Sequence, residues 1–284
     1  ASTFLNHRAM ISREGYVSNH LATIIANEKE ALPEYLFYIL CRIDAKKLTP
    51  DQAYPSLKTS EIAKIKIPLP PLEIQKEIVK KIEDKQTIIN NAKELISNLE
   101  RERTNSREVF EQLKCDWVEF EKAIDEIKYT RKIQKSQFLE SGKYPIVDQS
   151  EEFISGYWNE EADLFKVKKP IIIFGDHTRI LKYIDFDFVL GADGVKILQP
   201  IDELLGKYLY YFLLNKGIKN LGYSRHYKEL KEISVPIPDI EIQKQLIARF
   251  DKQEEAIRAN KTLIEVMQES INEKINEVWS EDGQ

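Results

Sequence analysis

The sequence predicts an α+β protein in which mixed α/β domains are joined by two long antiparallel coiled-coil helices in a pseudo-twofold repeat. A ten-residue motif carries the repeat: residues 67–76 read IPLPPLEIQK and residues 235–244 read VPIPDIEIQK, with identical residues at six positions. The copies lie 168 residues apart, far beyond the period of a solenoid, so they belong to two domain-sized units. After each copy, no glycine or proline interrupts residues 72–113 or 240–279, which predicts two long helices.

The repeat also divides the chain into four predicted segments. EYLFYIL at residues 34–40 resembles KYLYYFL at residues 207–213, whereas residues 118–173 have no counterpart in the first copy. We therefore expect the chain to begin midway through its first domain. The predicted segments are the C-terminal part of a first domain at 1–70, a central helix at 71–117, a second domain at 118–238 and a distal helix at 239–280.

The first domain segment is expected to contain a helix at residues 33–47 and to end in a proline-rich turn. Pro68, Pro70 and Pro71 are excluded from a helix interior, and they keep the preceding KIKIP segment extended. Pro71 stands directly before the long helix, where its fixed φ is tolerated. We interpret the motif as a structural element that sets the angle between a domain and its helix.

Heptad spacing defines the packing face of each long helix. Ile82, Ile89 and Ile96 recur every seven residues in the first helix, and positions 250, 257, 264, 271 and 278 do so in the second. Apolar residues at this spacing between charged neighbours specify a coiled-coil seam. A helix of ~40 residues is about 60 Å long, and it needs a partner for such a stripe. We favour antiparallel packing of the two helices on each other. Separate docking on the domains, or pairing with another chain, are the alternatives.

The second domain is predicted to be a mixed α/β structure. Four aliphatic runs separated by glycine, aspartate and asparagine turns predict short strands. They lie at residues 143–149, 170–175, 179–186 and 193–200. Residues 201–218 predict a helix with Asp202 as its N-cap.

Composition limits the class of protein. At 284 residues, with 42% hydrophobic and 31% charged residues, the chain fits two domains with their own cores and long charged helices. Cys41 and Cys115 are its only cysteines, so neither a disulfide framework nor a CxxC zinc pattern is present, and we expect a cytoplasmic location. No apolar run reaches the ~18 residues of a membrane span, so we expect no membrane partner.

Local charge is more informative than net charge. The net charge of −5 argues weakly against a nucleic-acid partner. Two runs are nevertheless basic: residues 128–135 contain Lys128, Arg131, Lys132 and Lys135, and residues 216–231 contain six lysine, arginine or histidine side chains. Such runs are usually solvated faces, so alone they leave nucleic-acid binding open.

Catalytic motifs are absent from the sequence. It contains no glycine-rich phosphate loop, no HExxH or GxSxG pattern, and no Asn-Pro-Pro-aromatic motif of a methyltransferase. Asp176 and His177 place an acid beside a histidine, but no second carboxylate and lysine follow at nuclease spacing. The four histidines, at 7, 20, 177 and 226, are too scattered to predict a metal cluster. We expect no catalytic residue, cofactor site or metal site in this chain.

The tandem PxPxxEIQK turns, each entering a long helix, and the segments GKYPIVDQS, SGYW and FGDHTR between the helices together carry a family resemblance. Over essentially its whole length, the chain resembles the DNA-specificity subunit of type I restriction–modification systems. The resemblance implies two target recognition domains, each reading one half of a bipartite site in double-stranded DNA, with the helices as spacers. It implies modification (methyltransferase) subunits as partners, with the restriction/translocase subunit as a further one. Methylation and cleavage then belong to these other subunits, and the methyltransferase would use S-adenosylmethionine.

Three loops of the second domain are the predicted DNA contacts. Amide, hydroxyl and guanidinium groups can read base edges, whereas lysine can hold phosphates. The candidate residues are Gln149 and Ser150, then His177, Thr178 and Arg179, and finally Tyr223, Arg225, His226 and Lys228. Local packing or surface solvation is the alternative for each single residue. Asp176 is expected to orient its loop instead, because phosphates repel a bare carboxylate. Weaker equivalents in the first domain are His7, Arg8, Ser18, Asn19, His20, Tyr54, Ser56 and Lys58.

A scaffold protein is the competing interpretation. In that case the coiled-coil helices form a platform and the α/β domain binds a protein partner, without sequence-specific DNA binding. Selection from a random-sequence duplex pool, with methyltransferase subunits present, separates the two interpretations because only the first recovers a split motif.

Overall fold

The computed structural model describes residues 6–11, 14–18, 21–49, 58–105, 107–125, 127, 129, 131–192, 194–220, 222 and 224–281. The chain forms two compact units, one of residues 1–96 with 258–284 and one of residues 97–257. Both long helices contribute to both units. The units therefore do not correspond to the four predicted segments, whose boundaries stay predictions.

The first unit is mainly helical where it is described. It contains α1 (Pro33–Cys41), a 3₁₀ turn (Ala45–Leu48), α2 (Thr59–Ile62) and the N-terminal part of α3 (Leu72–Asn105). The helix predicted at 33–47 is therefore interrupted after Cys41. Asp44 accepts a hydrogen bond from the Lys46 backbone N–H and so caps the 3₁₀ turn that follows.

The second unit contains the strands predicted from the sequence, and all four aliphatic runs are confirmed as strands. Its elements are α4 (Arg107–Glu111), β1 (Asp116–Glu119), β2 (Ile124–Asp125), β3 (Tyr144–Val147), β4 (Gly156–Trp158), β5 (Leu164–Phe165), β6 (Ile171–Gly175), β7 (Leu181–Ile184), β8 (Phe188–Leu190), β9 (Val195–Pro200), α5 (Gly206–Lys216), α6 (Tyr227–Lys231), β10 (Ser234–Ile237) and the N-terminal part of α7 (Ile240–Glu281). The predicted N-cap Asp202 is wrong. Leu205 occupies that position, and Asp202 accepts a hydrogen bond from Lys169 Nζ at 2.9 Å.

Two four-stranded sheets form the body of the second unit. One has the strand order β2-β9-β6-β7 and is antiparallel throughout. The other has the order β4-β3-β8-β5, in which only the β3–β8 pair is parallel. A buried cluster combines Val147 and Phe188 of the second sheet with Ile173 and Val195 of the first. The continuous aliphatic run of β6 is buried along its whole length, as expected for a strand covered on both faces.

The two long helices pack against each other in antiparallel orientation, as predicted. In the first unit, Lys85 Nζ of α3 donates to Ser270 Oγ of α7 at 2.6 Å. In the second unit, Arg103 pairs with Glu254, and the rings of Phe110 and Phe250 stack at 5.8 Å between centroids. Residue numbers rise along α3 and α4 while those of the α7 partners fall, which defines the antiparallel direction. No helix in the described part of the chain is both long and apolar enough to cross a membrane.

A buried glutamine secures the start of each long helix in the same way. In the first unit, Gln75 Nε2 donates to the carbonyls of Glu30 and Pro70 at 2.7 and 2.8 Å, and its Oε1 accepts from Leu32 N at 2.8 Å. In the second unit, Gln243 Nε2 donates to the carbonyls of Glu203 and Pro238, and its Oε1 accepts from Leu205 N, all at 2.8 Å. We call each set of three hydrogen bonds a glutamine lock. The lock ties the proline-rich turn to the residue preceding the short helix α1 or α5.

A buried tyrosine completes the repeated arrangement. Tyr35 of α1 donates its hydroxyl to the Pro68 carbonyl at 2.9 Å, and Tyr208 of α5 donates to the Pro236 carbonyl at 3.1 Å. Tyr35 belongs to the same core cluster as Ile82 and Val278, and Tyr208 to the same cluster as Phe250 and Phe110. The sequence repeat is therefore a repeat of specific contacts, and the role of the proline motif in setting the helix angle stays a prediction.

Candidate nucleic-acid interface

The first two predicted loops are joined directly by Gln149. The residue follows β3, and its backbone carbonyl accepts a hydrogen bond from Thr178 Oγ1 at 2.8 Å. Its side-chain Oε1 accepts from the His177 backbone N–H at 3.2 Å. Because His177 and Thr178 form the turn after β6, the ends of strands from both sheets meet at one surface.

Two glycines allow this close approach. A Cβ on Gly175 would lie 2.2 Å from Thr178 Oγ1 and 2.8 Å from Gln149 Cβ, so any larger residue would separate the loops. Gly194 has φ +71°, and a Cβ there would lie 2.6 Å from His177 Cδ2. The left-handed φ and the lack of space both require glycine. These glycines were not among the predicted site residues, although both lie beside predicted strands.

The third predicted loop is attached to the second by Asp176. The His226 backbone N–H donates to the Asp176 carbonyl at 2.8 Å, and the Tyr227 N–H donates to Asp176 Oδ1 at 2.7 Å. Asp176 is only 3% exposed, and its carboxylate binds the first residue of α6. All three loops therefore belong to one continuous surface. The geometry supports the predicted orienting role of Asp176.

His226 itself does not lie on that surface. Its side chain is fully buried, and its Nδ1 lies 3.0 Å from the Asp176 carbonyl oxygen. Its prediction as a DNA-contacting residue is therefore corrected: the ring packs beneath the loop and fixes it. Arg225 and Lys228 on either side are exposed. Tyr223 lies outside the described residues.

Two further candidates are occupied by contacts within the protein. Ser150 donates from its backbone N–H and its hydroxyl to Asp148 Oδ1, at 2.9 and 2.6 Å. Arg179 donates from its guanidinium to the Ile218 carbonyl at 3.1 Å. Its backbone has φ +64°, a left-handed conformation that costs a non-glycine residue about 1–2 kcal/mol. His177, Thr178 and Arg179 line a concave surface together with Asn220, Gly222 and Ser224.

Basic side chains border the loops around Tyr227. Lys196 of β9 lies 5.1 Å from the centre of the Tyr227 ring, and Lys132 Nζ donates to the Val195 carbonyl at 3.1 Å. Burial raises the pKa of Tyr227, so the phenol stays neutral beside Lys196. Lys196 was not predicted from the sequence, because only the β6–β9 pairing brings it beside this surface. Within the described residues, no group of three His, Cys, Asp or Glu side chains could hold a metal ion.

Only some of the predicted DNA-contacting residues of the first unit lie in the described part of the chain. Arg8 donates its guanidinium to the carbonyls of Asn6 and Ile43, so it holds the chain locally. His7, Ser18 and Lys58 are exposed. Asn19, His20, Tyr54 and Ser56 lie outside the described residues.

Comparison with known proteins identifies related chains. The sequence model of the type I restriction modification DNA specificity domain matches residues 7–101 and again residues 116–269. The specificity subunit of the type I restriction enzyme EcoR124I/EcoR124II of Escherichia coli is 28% identical over 134 residues, which cover 42% of this chain and 33% of that subunit. The MjaVIII specificity subunit of Methanocaldococcus jannaschii is 23% identical over 288 residues, which cover 84% of this chain and 68% of that subunit.

Solved structures show the same fold. The S subunit of a type I restriction–modification system from M. genitalium aligns with TM-score 0.58 and 15% identity, covering 88% of this chain and 73% of that chain. A chain from a study of complex assembly and conformational transition of the type I R-M system aligns with TM-score 0.54 and 19% identity, covering 90% of this chain and 73% of that chain. At these identities the likeness establishes the α+β fold with its long helices.

Proposed function

The chain belongs to the family of type I restriction modification DNA specificity domains, and on this premise we propose that its second unit reads one half of a bipartite site in double-stranded DNA. In the proposed complex, the chain itself carries out no catalysis. Modification subunits, which use S-adenosylmethionine, bind it and methylate the DNA, and a restriction subunit is a further partner.

The convergence of three loops carries the proposal. Residues 149–150, 177–179 and 224–228 are far apart in sequence, yet hydrogen bonds through Gln149 and Asp176 hold them at one surface. The loops contain amide, hydroxyl and guanidinium groups, which can distinguish base edges in the major groove. Glycines at 175 and 194 bring the loops into contact. Loops that were only solvated would not need such close contact.

Basic side chains beside these loops would hold the phosphates. Five basic side chains make no ion pair with the residues that the structure describes: Arg131, Lys132, Lys196, Arg225 and Lys228. Their charges are therefore available to phosphate oxygens, and each such contact releases counterions from DNA. This arrangement reconciles a net charge of −5 with DNA binding, because the basic groups are local.

The antiparallel helices are the proposed support for a bipartite reader. A split site requires two reading surfaces at a fixed distance and phase on the duplex, whose helical turn is about 34–36 Å. The glutamine locks attach a turn and a short helix to each long helix by the same hydrogen bonds. We propose that the long helices set the spacer between the half-sites.

The test is selection from a random-sequence duplex pool with the chain and modification subunits together. Wild-type protein should enrich a split motif. Arg225→Ala should alter one half of it, and Lys252→Ala, which removes an exposed lysine from α7, should leave it unchanged. Absence of any enriched motif at low salt would overturn the proposal and favour a protein-binding scaffold.

A further inference from the structure

A buried charged cluster lies beneath the segment 148–155, which we call the 148–155 loop. Lys182 of β7 is 4% exposed and Asp148, directly after β3, is 6% exposed. Lys182 Nζ lies 3.9 Å from Asp148 Oδ1 and donates a hydrogen bond to the Glu152 carbonyl. Because β3 and β7 belong to different sheets, the pair connects the two sheets under this loop.

The Asp148 carboxylate organises both ends of the loop. Its Oδ1 accepts from the Ser150 backbone N–H at 2.9 Å, from the Ser150 hydroxyl at 2.6 Å and from the Ser155 hydroxyl. Ser155 N in turn donates to the Ile146 carbonyl of β3 at 2.9 Å. Lys182 holds the middle of the loop at Glu152, so one buried ion pair fixes the loop at its start, centre and end.

The cluster is poorly explained by stability alone. Two buried charges lose their hydration, and well-packed apolar residues often replace such a pair at no cost in stability. Burial alone would raise the pKa of Asp148, but hydrogen bonds from Ser150 and Ser155 and the charge of Lys182 hold it below its usual value. The carboxylate therefore stays charged. Gly191 is also required here, because a Cβ on it would lie 2.6 Å from Asp148 Cβ.

The loop carries a residue of the proposed reading surface. Gln149 lies between Asp148 and Ser150, and its carbonyl and side chain hold Thr178 and His177. A shift of the 148–155 loop would therefore displace the amide of Gln149 and the neighbouring turn together. Lys182 is too deeply buried to contact a ligand itself.

We propose that Lys182 is a positioning residue for DNA sequence selectivity: through Asp148 and the Glu152 carbonyl, it holds Gln149 where its amide meets a base edge. The inference rests on the proposed function of this surface. It predicts a residue that never contacts DNA but determines which base is accepted at one or two adjacent positions of one half-site.

Three variants test the proposal in the complex with modification subunits, by selection from a random-sequence duplex pool. The double variant Asp148→Leu/Lys182→Met removes both charges and the acceptor for the serines. Lys182→Arg keeps the charge, and Lys169→Met removes a different ion pair, with Asp125 and Asp202. Thermal unfolding and the salt dependence of binding are measured for each variant.

The double variant is expected to fold but to unfold below the wild-type temperature, because Ser150, Ser155 and the Glu152 carbonyl lose partners. It should keep the wild-type salt dependence, because no phosphate contact is lost. Its preference at one or two positions should fall about tenfold, the order of discrimination of one bidentate base contact. Lys182→Arg and Lys169→Met should retain the full motif. A folded double variant with the wild-type motif would overturn the positioning role only. A wild-type complex that enriches no motif would instead overturn the proposed function, and this inference with it.

The single variant Lys182→Met provides the test if the double variant does not fold. It leaves Asp148 charged and bound by Ser150 and Ser155 but frees the Glu152 carbonyl. Faster hydrogen exchange in residues 149–155, together with a degenerate position in the motif, supports the proposal. Unchanged exchange with an unchanged motif would contradict it.

Discussion

Replacing Gln243 by alanine is expected to destabilise the second unit by about 3 kcal/mol. The side chain is fully buried, and all three hydrogen bonds of its lock are 2.8 Å long. Alanine removes both hydrogen bonds donated to carbonyls and the acceptor for Leu205 N. The partners left behind are the carbonyls of Glu203 and Pro238 and the N–H of Leu205, the N-cap of α5, which makes no side-chain cap hydrogen bond.

The magnitude follows from these three groups. A buried polar group that loses its partner costs about 1–3 kcal/mol, and the low end applies here because two of the three contacts are only partly buried, so that water can enter. Three groups at about 1 kcal/mol each give about 3 kcal/mol, which is roughly a hundredfold change in the unfolding equilibrium. The same reasoning applies to Gln75→Ala in the first unit, whose lock has the same three bonds.

The assay is urea unfolding combined with hydrogen exchange measured by mass spectrometry, which assigns the loss to one unit. Gln243→Ala should increase exchange at the start of α5, and Gln75→Ala at the start of α1. Gln245→Ala is the matched control, because this glutamine is exposed on the same helix and should cost less than about 0.5 kcal/mol. A cost for Gln243→Ala equal to that of Gln245→Ala would refute the lock.

Three other predictions concern DNA recognition. Arg225→Ala should cost about 1–3 kcal/mol at one base position and relax selectivity there, whereas Lys228→Ala should weaken all duplexes alike and reduce the salt slope; selection and salt titration separate the two. Insertion of one matched heptad into both α3 and α7 lengthens the pair by about 10 Å and should lengthen the preferred spacer by about three base pairs without changing the half-sites, while an unchanged spacer would contradict the role of the helices. The purified chain with S-adenosylmethionine and DNA should transfer no methyl group; methyl transfer that is lost in Asp176→Ala would show a catalytic site at this turn.

Local patterns allowed the helices and strands to be predicted. Heptad spacing and the absence of glycine and proline defined α3 and α7, since these features act over a few turns of one helix. The aliphatic runs defined β3, β6, β7 and β9 for the same reason. The N-cap assigned to Asp202 failed because α5 begins only at Gly206, so that Leu205 is the N-cap; Asp202 instead accepts a hydrogen bond from Lys169.

The candidate site was only partly predictable. Loop composition indicated the three segments, but it could not show that His226 is buried under the loop or that Lys182 and Asp148 lie beneath another. Those facts depend on strand pairing between distant residues. The glutamine locks are visible in the sequence, because Gln75 and Gln243 belong to the EIQK segment that both copies share, whereas the aliphatic residues earlier in the motif differ.

The contacts that attach the long helices to the proline-rich turns are separate from those that hold the proposed DNA-reading loops. Each lock uses a glutamine, a proline-rich turn and a tyrosine, and the same contacts occur in both units. The loops of the second unit depend instead on Asp148 and Asp176, at the ends of sheet strands. A protein that recognises a split site requires this separation. The attachment of the helices must stay fixed, while the loops determine which bases are recognised. Substitutions in the two sets should then act independently: Gln243→Ala should lower stability with an unchanged motif, Arg225→Ala should change the motif with unchanged stability, and the double variant should show the sum of both effects.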